Sequence, residues 1–142
     1  METRKITLLI ATVIMLSLTL FSCGKKADNS KNATETIGMS TEKIEVLYFH
    51  GKKRCITCNA IEKLSIEVVD SIGNQDISIH VIDINTQMGK PIAEKYEVSW
   101  SSLIINNRGE AINLTDTGFK YAKNQPEIFK EKLTETLNGL MQ

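Results

Sequence analysis

The sequence predicts an α/β domain, a central mixed four-stranded sheet flanked by helices, built in the order β-α-β-α-β-β-α. Three stretches carry that expectation. An apolar, aromatic run, Val46 to Phe49, is followed by Ala60, Ile61, Leu64 and Val68 at helical spacing, so a strand passes directly into a helix. The β-branched run Ile77–Asp83 leads into a second helical pattern, Met88, Ile92, Ala93 and Tyr96. A third apolar run, Leu103–Ile105, meets the turn Asn106-Asn107-Arg108-Gly109 and doubles back as Glu110 to Leu114. The two β-α-β links call for parallel pairing and the hairpin for antiparallel pairing.

Residues 1–22 read as a targeting segment rather than as fold. Arg4 and Lys5 precede an apolar run, Ile6 to Phe21, broken only by Thr7, Thr12, Ser17 and Thr19. Its end, Leu20-Phe21-Ser22-Cys23-Gly24, resembles the bacterial lipoprotein signal, in which the cysteine is lipidated and becomes the new N-terminus. An uncleaved single-span anchor and ordinary signal cleavage near Ser22–Gly24 are the alternatives. Lipidation of Cys23 would tie the chain to a membrane in the bacterial cell envelope, facing the periplasm or another extracytoplasmic space. Residues 23–42, rich in Lys, Asn, Thr and Ser with no apolar period, read as a flexible tether. The domain is expected over 43–142.

Within it, the first strand covers about Ile44–Phe49, and Gly51, Lys52, Lys53 and Arg54 break it. The first helix runs over about Ile56–Asp70 and stops at Ser71, Gly73 and Asn74. His80 alternates with Ile79 and Val81, which turns it to the opposite face of its strand as a solvated or satisfied histidine. The second helix is expected over Asn85–Tyr96, with Pro91 early enough to be tolerated. Asn124 reads as the cap of the last helix, with Glu127 three residues on and the stripe Ile128, Phe129, Leu133, Leu137, Leu140 facing the sheet.

Composition narrows the function classes. The chain has 142 residues, 42% hydrophobic and 24% charged, with no formal net charge, which fits one small domain with a modest core. That balance gives no basis for a nucleic-acid partner, and the expected state is a monomer. The chemistry concentrates at Cys55-Ile56-Thr57-Cys58, where strand hands over to helix. A cysteine at a helix N-cap faces the first-turn N–H groups and the positive end of the helix dipole, both of which favour a thiolate. Lys52, Lys53 and Arg54 add positive potential, so Cys55 is expected to ionise below the free-thiol value of about 8.5. Cys58, one turn further in, is the covered, resolving thiol. A zinc site would need four ligands and finds only His50 and His80 besides the pair. Inert structural cysteines rarely follow three cations at such a junction. A redox-active Cys55–Cys58 disulfide, with no other cofactor, is the expectation.

Over residues 44–140 the chain resembles the thioredoxin-like proteins. The resemblance lies in the CxxC, in Val81-Ile82-Asp83-Ile84-Asn85 followed by Ile92-Ala93-Glu94-Lys95-Tyr96-Glu97-Val98, and in the turn Arg108-Gly109-Glu110. More narrowly, Tyr48-Phe49-His50-Gly51, Arg54-Cys55-Ile56-Thr57-Cys58 and Ser101-Ser102-Leu103 are similar to the ArsF-like group, described as nitrophenyl compound nitroreductase subunits and associated with organoarsenical resistance. The resemblance implies a thiol–disulfide oxidoreductase or electron-transfer module acting on a redox partner protein. It also implies supporting residues: Arg54 beside the nucleophile, Ser101 where thioredoxins present a cis-proline, and Tyr48 where they bury an aspartate that assists proton transfer. The missing proline leaves the thiols open to a small thiophilic ligand. The alternatives are therefore capture of As(III) or another soft metal by Cys55 and Cys58, and a non-catalytic subunit of a nitroaromatic or organoarsenical reductase.

Overall fold

The structure, a computed structural model, describes residues 43–142. The expected signal over 1–22, the lipidated Cys23 and the tether over 23–42 lie outside the described residues. The sheet is assembled on β1 (Ile44–His50), every residue of which except His50 is buried. β1 pairs parallel with β2 (Ile77–Asp83) on one side and antiparallel with β3 (Ser102–Asn107) on the other. β4 (Glu110–Asn113) lies outermost on β3, giving the order β2-β1-β3-β4.

Alternation along β1 divides the core in two. Ile44, Val46 and Tyr48 pack with Ile61, Leu64 and Val68 of α1 (Ile56–Ile72) and with residues of a C-terminal helix. Leu47 and Phe49 face the other way, onto Ile82, Ala93 and Ile104 beside α2 (Gly89–Lys95). β1 is thus sandwiched, and each large apolar side chain fully buried there contributes about 1.5–3 kcal/mol. α1 ends where Gly73 adopts a left-handed conformation, φ 62°, and returns its N–H to the Val69 carbonyl.

Several expectations are corrected. The second β-α-β link was expected to give a parallel strand, but β3 runs antiparallel to β1. α2 spans 7 residues, and β3 enters the sheet from the end where β1 leaves it, Ser102 pairing with Phe49. α2 also begins later than Asn85. Asp83 Oδ1 accepts from the backbone N–H and side-chain amide of Asn85, at 2.9 and 3.0 Å, and Thr86 Oγ1 accepts from Gly89 N at 2.9 Å. This turn consumes residues 83–86 before the helix starts. Gly89 lies so close to it that a methyl group would overlap the Asp83 carbonyl.

A further helix, α3 (Thr115–Tyr121), lies in a stretch to which the sequence pattern assigns no element. Thr-Asp-Thr-Gly-Phe-Lys-Tyr carries no apolar period, but Gly118 sits against Ile61, where a Cβ would be 3.0 Å from Cδ1. α3 is held by packing that local pattern does not encode. Finally, α4 (Pro126–Leu140) is preceded by Gln125, not Asn124, at its N-cap, and no side chain caps it. Pro126 in the first turn has no N–H to satisfy. Of the expected stripe, Phe129, Leu133 and Leu137 are buried, whereas Ile128 is exposed.

Candidate functional site

β1 delivers its last residues, Tyr48 to His50, to the end of the sheet where α1 begins. Gly51 to Arg54 span the gap, and Cys55 takes the N-cap of α1 with extended backbone, φ −88° and ψ 165°. Its Sγ accepts a hydrogen bond from the Cys58 N–H at 3.0 Å, the role an oxygen side chain usually fills. Cys55 and Cys58 are joined as a disulfide with Cα atoms 4.9 Å apart. The two sulfurs differ in access: Cys55 is exposed, whereas Cys58 is 5% exposed.

Beneath the pair lies Tyr48, fully buried, whose hydroxyl donates to the Cys58 carbonyl at 2.8 Å. Burial pushes its pKa up; the Ser101 hydroxyl, hydrogen-bonded to it, pulls the other way, as does the Arg54 charge, while Glu62 adds to the rise. Tyr48 therefore keeps its proton across the range in which thiols ionise. Ser101 is buried and sits one residue before β3, whose first residue Ser102 pairs with Phe49. Antiparallel entry of β3 is what brings Ser101 to this end of the sheet. No peptide bond among the described residues is cis, so the Trp100–Ser101 bond is trans as expected. Trp100 is exposed, its ring 5.3 Å from that of Phe119 on α3.

Cys55, Cys58, Tyr48 and Ser101 thus form one connected cluster. Arg54 reaches it differently: its guanidinium is ion-paired with Glu62, both side chains partly buried. Sequence reasoning missed Glu62. The signal was the i, i+4 spacing from Cys58, which puts both on one face of α1; the partner, eight residues back in a loop, is outside any helical rule. His50 turns its ring nitrogen to the Gly51 carbonyl at 3.1 Å, and His80 bonds Ser78 at 3.2 Å beside the buried Glu45, away from the cysteines. Among the described residues no group of three or more His, Cys, Asp or Glu could hold a metal ion.

A mixed four-stranded sheet whose first strand feeds a CxxC at a helix N-terminus, with the start of an antiparallel strand facing it, is a thioredoxin-like fold. The chain is similar in structure to Trxlp from Edwardsiella tarda EIB202, with a TM-score of 0.52 and 17% identity over 74% of this chain and 95% of that one. It also matches a thioredoxin from Thermus thermophilus, with a TM-score of 0.46 and 15% identity over 72% of this chain and 79% of that one. A third match is a malarial protein, with a TM-score of 0.45 and 18% identity over 63% and 96%. No protein-family model matches the chain, and no curated protein does. At such identities the likeness speaks to fold alone.

The Tyr48 hydroxyl is the contact that joins sheet to dithiol. Tyr48→Phe is expected to cost about 0.5–1.5 kcal/mol in urea unfolding, the net worth of a buried hydrogen bond, since the Cys58 carbonyl lies inside α1 and keeps its helical partner. Because the folded-state pKa is raised, stability in the parent falls as pH rises past 10.0, where the unfolded chain ionises and the fold cannot. That alkaline slope should be shallower in Tyr48→Phe. An unchanged midpoint at pH 7 would remove Tyr48 from the support of the site.

Proposed function

We propose that this domain is a thiol–disulfide oxidoreductase in which Cys55 is the attacking thiolate and Cys58 the resolving thiol. The observation that carries the reading is the unequal disulfide at the start of α1, one sulfur exposed and capping the helix, the other covered. In the reduced domain the Cys55 thiolate attacks one sulfur of a partner disulfide, forming a mixed disulfide and releasing the other partner sulfur as a thiolate. Cys58 then gives up its proton and attacks Cys55 Sγ. The Cys55–Cys58 disulfide closes, and the partner leaves as a dithiol carrying two electrons and two protons. The same steps in reverse reduce the domain. On the reduced full-length chain, iodoacetamide at mildly acidic pH should modify Cys55 several-fold faster than Cys58, read by peptide mass spectrometry. Turnover of an insulin-type disulfide with dithiothreitol should vanish in Cys55→Ser. Faster modification of Cys58 would reverse the roles, and parental turnover in Cys55→Ser would end the reading.

A second reading is capture of As(III) through both thiols. The ArsF-like pattern of Tyr48-Phe49-His50-Gly51 and Arg54-Cys55-Ile56-Thr57-Cys58 supports it, as does a serine with a trans peptide bond where a proline would crowd the thiols. Ser101→Pro is expected to weaken As(III) binding in calorimetry and raise disulfide turnover. A variant that folds and alters neither would set this reading aside.

The Leu20-Phe21-Ser22-Cys23 ending further supports a domain held at the cell envelope by a lipid on Cys23. The native N-terminus, measured by mass spectrometry, should then be a diacylglyceryl-modified Cys23. A mature chain that begins elsewhere or retains Met1 would remove the anchor.

A further inference from the structure

The ion pair between Arg54 and Glu62 is unaccounted for by the chemistry above. Arg54 precedes the nucleophile in sequence, and the expectation was that its charge would serve the Cys55 thiolate. Its guanidinium is instead on the Glu62 carboxylate, with the two side chains 31% and 22% exposed. Glu62 lies seven residues beyond Cys55 on α1, two turns or about 10 Å along the axis, and one turn beyond Cys58. The arginine side chain is therefore drawn along the helix. Tyr48, beneath the dithiol, feels both charges, which places the pair within electrostatic reach of the cluster.

We propose that Glu62 is a positioning residue for the reduced enzyme, holding Arg54 off the Cys55 sulfur while the disulfide is closed and competing with the Cys55 thiolate for it once the disulfide opens. This deepens the oxidoreductase reading and rests on it for its significance. The competition follows from charge. In the disulfide, Cys55 Sγ is neutral and has no hold on a cation, so the carboxylate keeps Arg54. When an incoming dithiol reduces the pair, two electrons enter. Cys58 takes one proton, the other goes to solvent, and Cys55 is left as a thiolate at the helix N-cap. A second anion now stands at the root of the same arginine. Glu62 opposes the thiolate twice, by its own charge and by retaining the guanidinium, and so favours the disulfide over the dithiol. A partly exposed pair suits such an exchange, since neither charge would be stranded in a dry interior on parting.

The test follows Cys55 alone. In the full-length chain, reduced with dithiothreitol and freed of it, the pH dependence of Cys55 alkylation by iodoacetamide is read from its own peptide. The variants are Glu62→Gln, Glu62→Asp, Arg54→Gln and the double Arg54→Gln/Glu62→Gln. Glu62→Gln should move the alkylation midpoint to lower pH, raising the thiolate fraction at pH 6 about three- to tenfold. It should shift the equilibrium with glutathione towards the dithiol by a similar factor. Glu62→Asp, which keeps the charge on a shorter arm, should fall between Glu62→Gln and the parent. Removing Glu62 in the Arg54→Gln background should have a clearly smaller effect, because only the through-space term remains. Equal shifts in both backgrounds would show that Glu62 acts by its charge alone and overturn the proposal, as would a parental midpoint in Glu62→Gln. Alkylation needs no turnover, so variants that titrate as expected in a chain that reduces no partner disulfide would count against the oxidoreductase reading and leave this one standing.

Discussion

The hydrogen bond from the Cys58 N–H to Cys55 Sγ is the constraint on which the site depends. A helix leaves its first N–H groups without intrahelical partners, and most helices meet one of them with a side-chain oxygen. Here the acceptor is the sulfur that is also the exposed half of the disulfide. Cap and exposed sulfur are one atom, so the charge on that atom and the start of α1 cannot change independently. A thiolate is a stronger acceptor than a disulfide sulfur, and the N-terminal dipole favours it further. The closed disulfide is thus the state in which the cap is weakest. The Tyr48 hydroxyl then holds the first turn from below through the Cys58 carbonyl.

Tyr48 can do this only because β1 is central. The strand is packed on both faces and paired on both edges, so the Tyr48 ring is fixed in position where it meets the helix. The opposite end of the same strand solves a different problem. Glu45 is buried there, its carboxylate accepting from the Asn106 amide at 2.6 Å with His80 3.8 Å away. Asn106 in turn receives the Gly109 N–H of the hairpin, whose central residues Arg108 and Gly109 both have positive φ. A buried carboxylate is tolerated only when it is hydrogen-bonded or paired, and this one joins β1 to the β3–β4 turn. The buried carboxylate of the sheet thus lies at one end, and the thiols lie at the other with Tyr48 and Ser101.

Much of this was legible from residue pattern. Strand β1, helix α1 and the hairpin follow from period and turn chemistry, because each is amphipathic or punctuated within its own length. The CxxC at the strand-to-helix junction fixed Cys55 as cap and Cys58 as the covered partner through spacing alone. What failed was decided by partners distant in sequence. The direction of β3 lies in its pairing with β1, Ser102 opposite Phe49, which no periodicity reports. α3 exists because Gly118 lets it approach Ile61, and its own sequence carries no apolar period. Asn124 matched a capping pattern, yet Pro126 sets the start of α4 by removing the donor that a cap would serve. Arg54 was read as a charge for its neighbour because nothing local reveals a carboxylate eight residues away.

A tyrosine beneath the dithiol tunes it differently from a buried acid. A carboxylate beneath the sulfurs can exchange a proton with them and acts through a dry interior where charges are poorly screened. Tyr48 keeps its proton over the relevant range and spends it on a backbone carbonyl, so it sets geometry and not charge. The charges around the Cys55 thiolate include Arg54 and Glu62, Asp83 at the end of β2, and the exposed Lys52 and Lys53, all at the surface or partly exposed. Their influence falls within a Debye length of about 8 Å at physiological ionic strength. It is also displaced by whatever partner covers them. A thiol pair tuned from outside in this way has a poise that belongs to the encounter as much as to the free domain: a partner bringing an anion to Arg54 competes with Glu62, and one bringing a cation to Glu62 releases Arg54 to the thiolate.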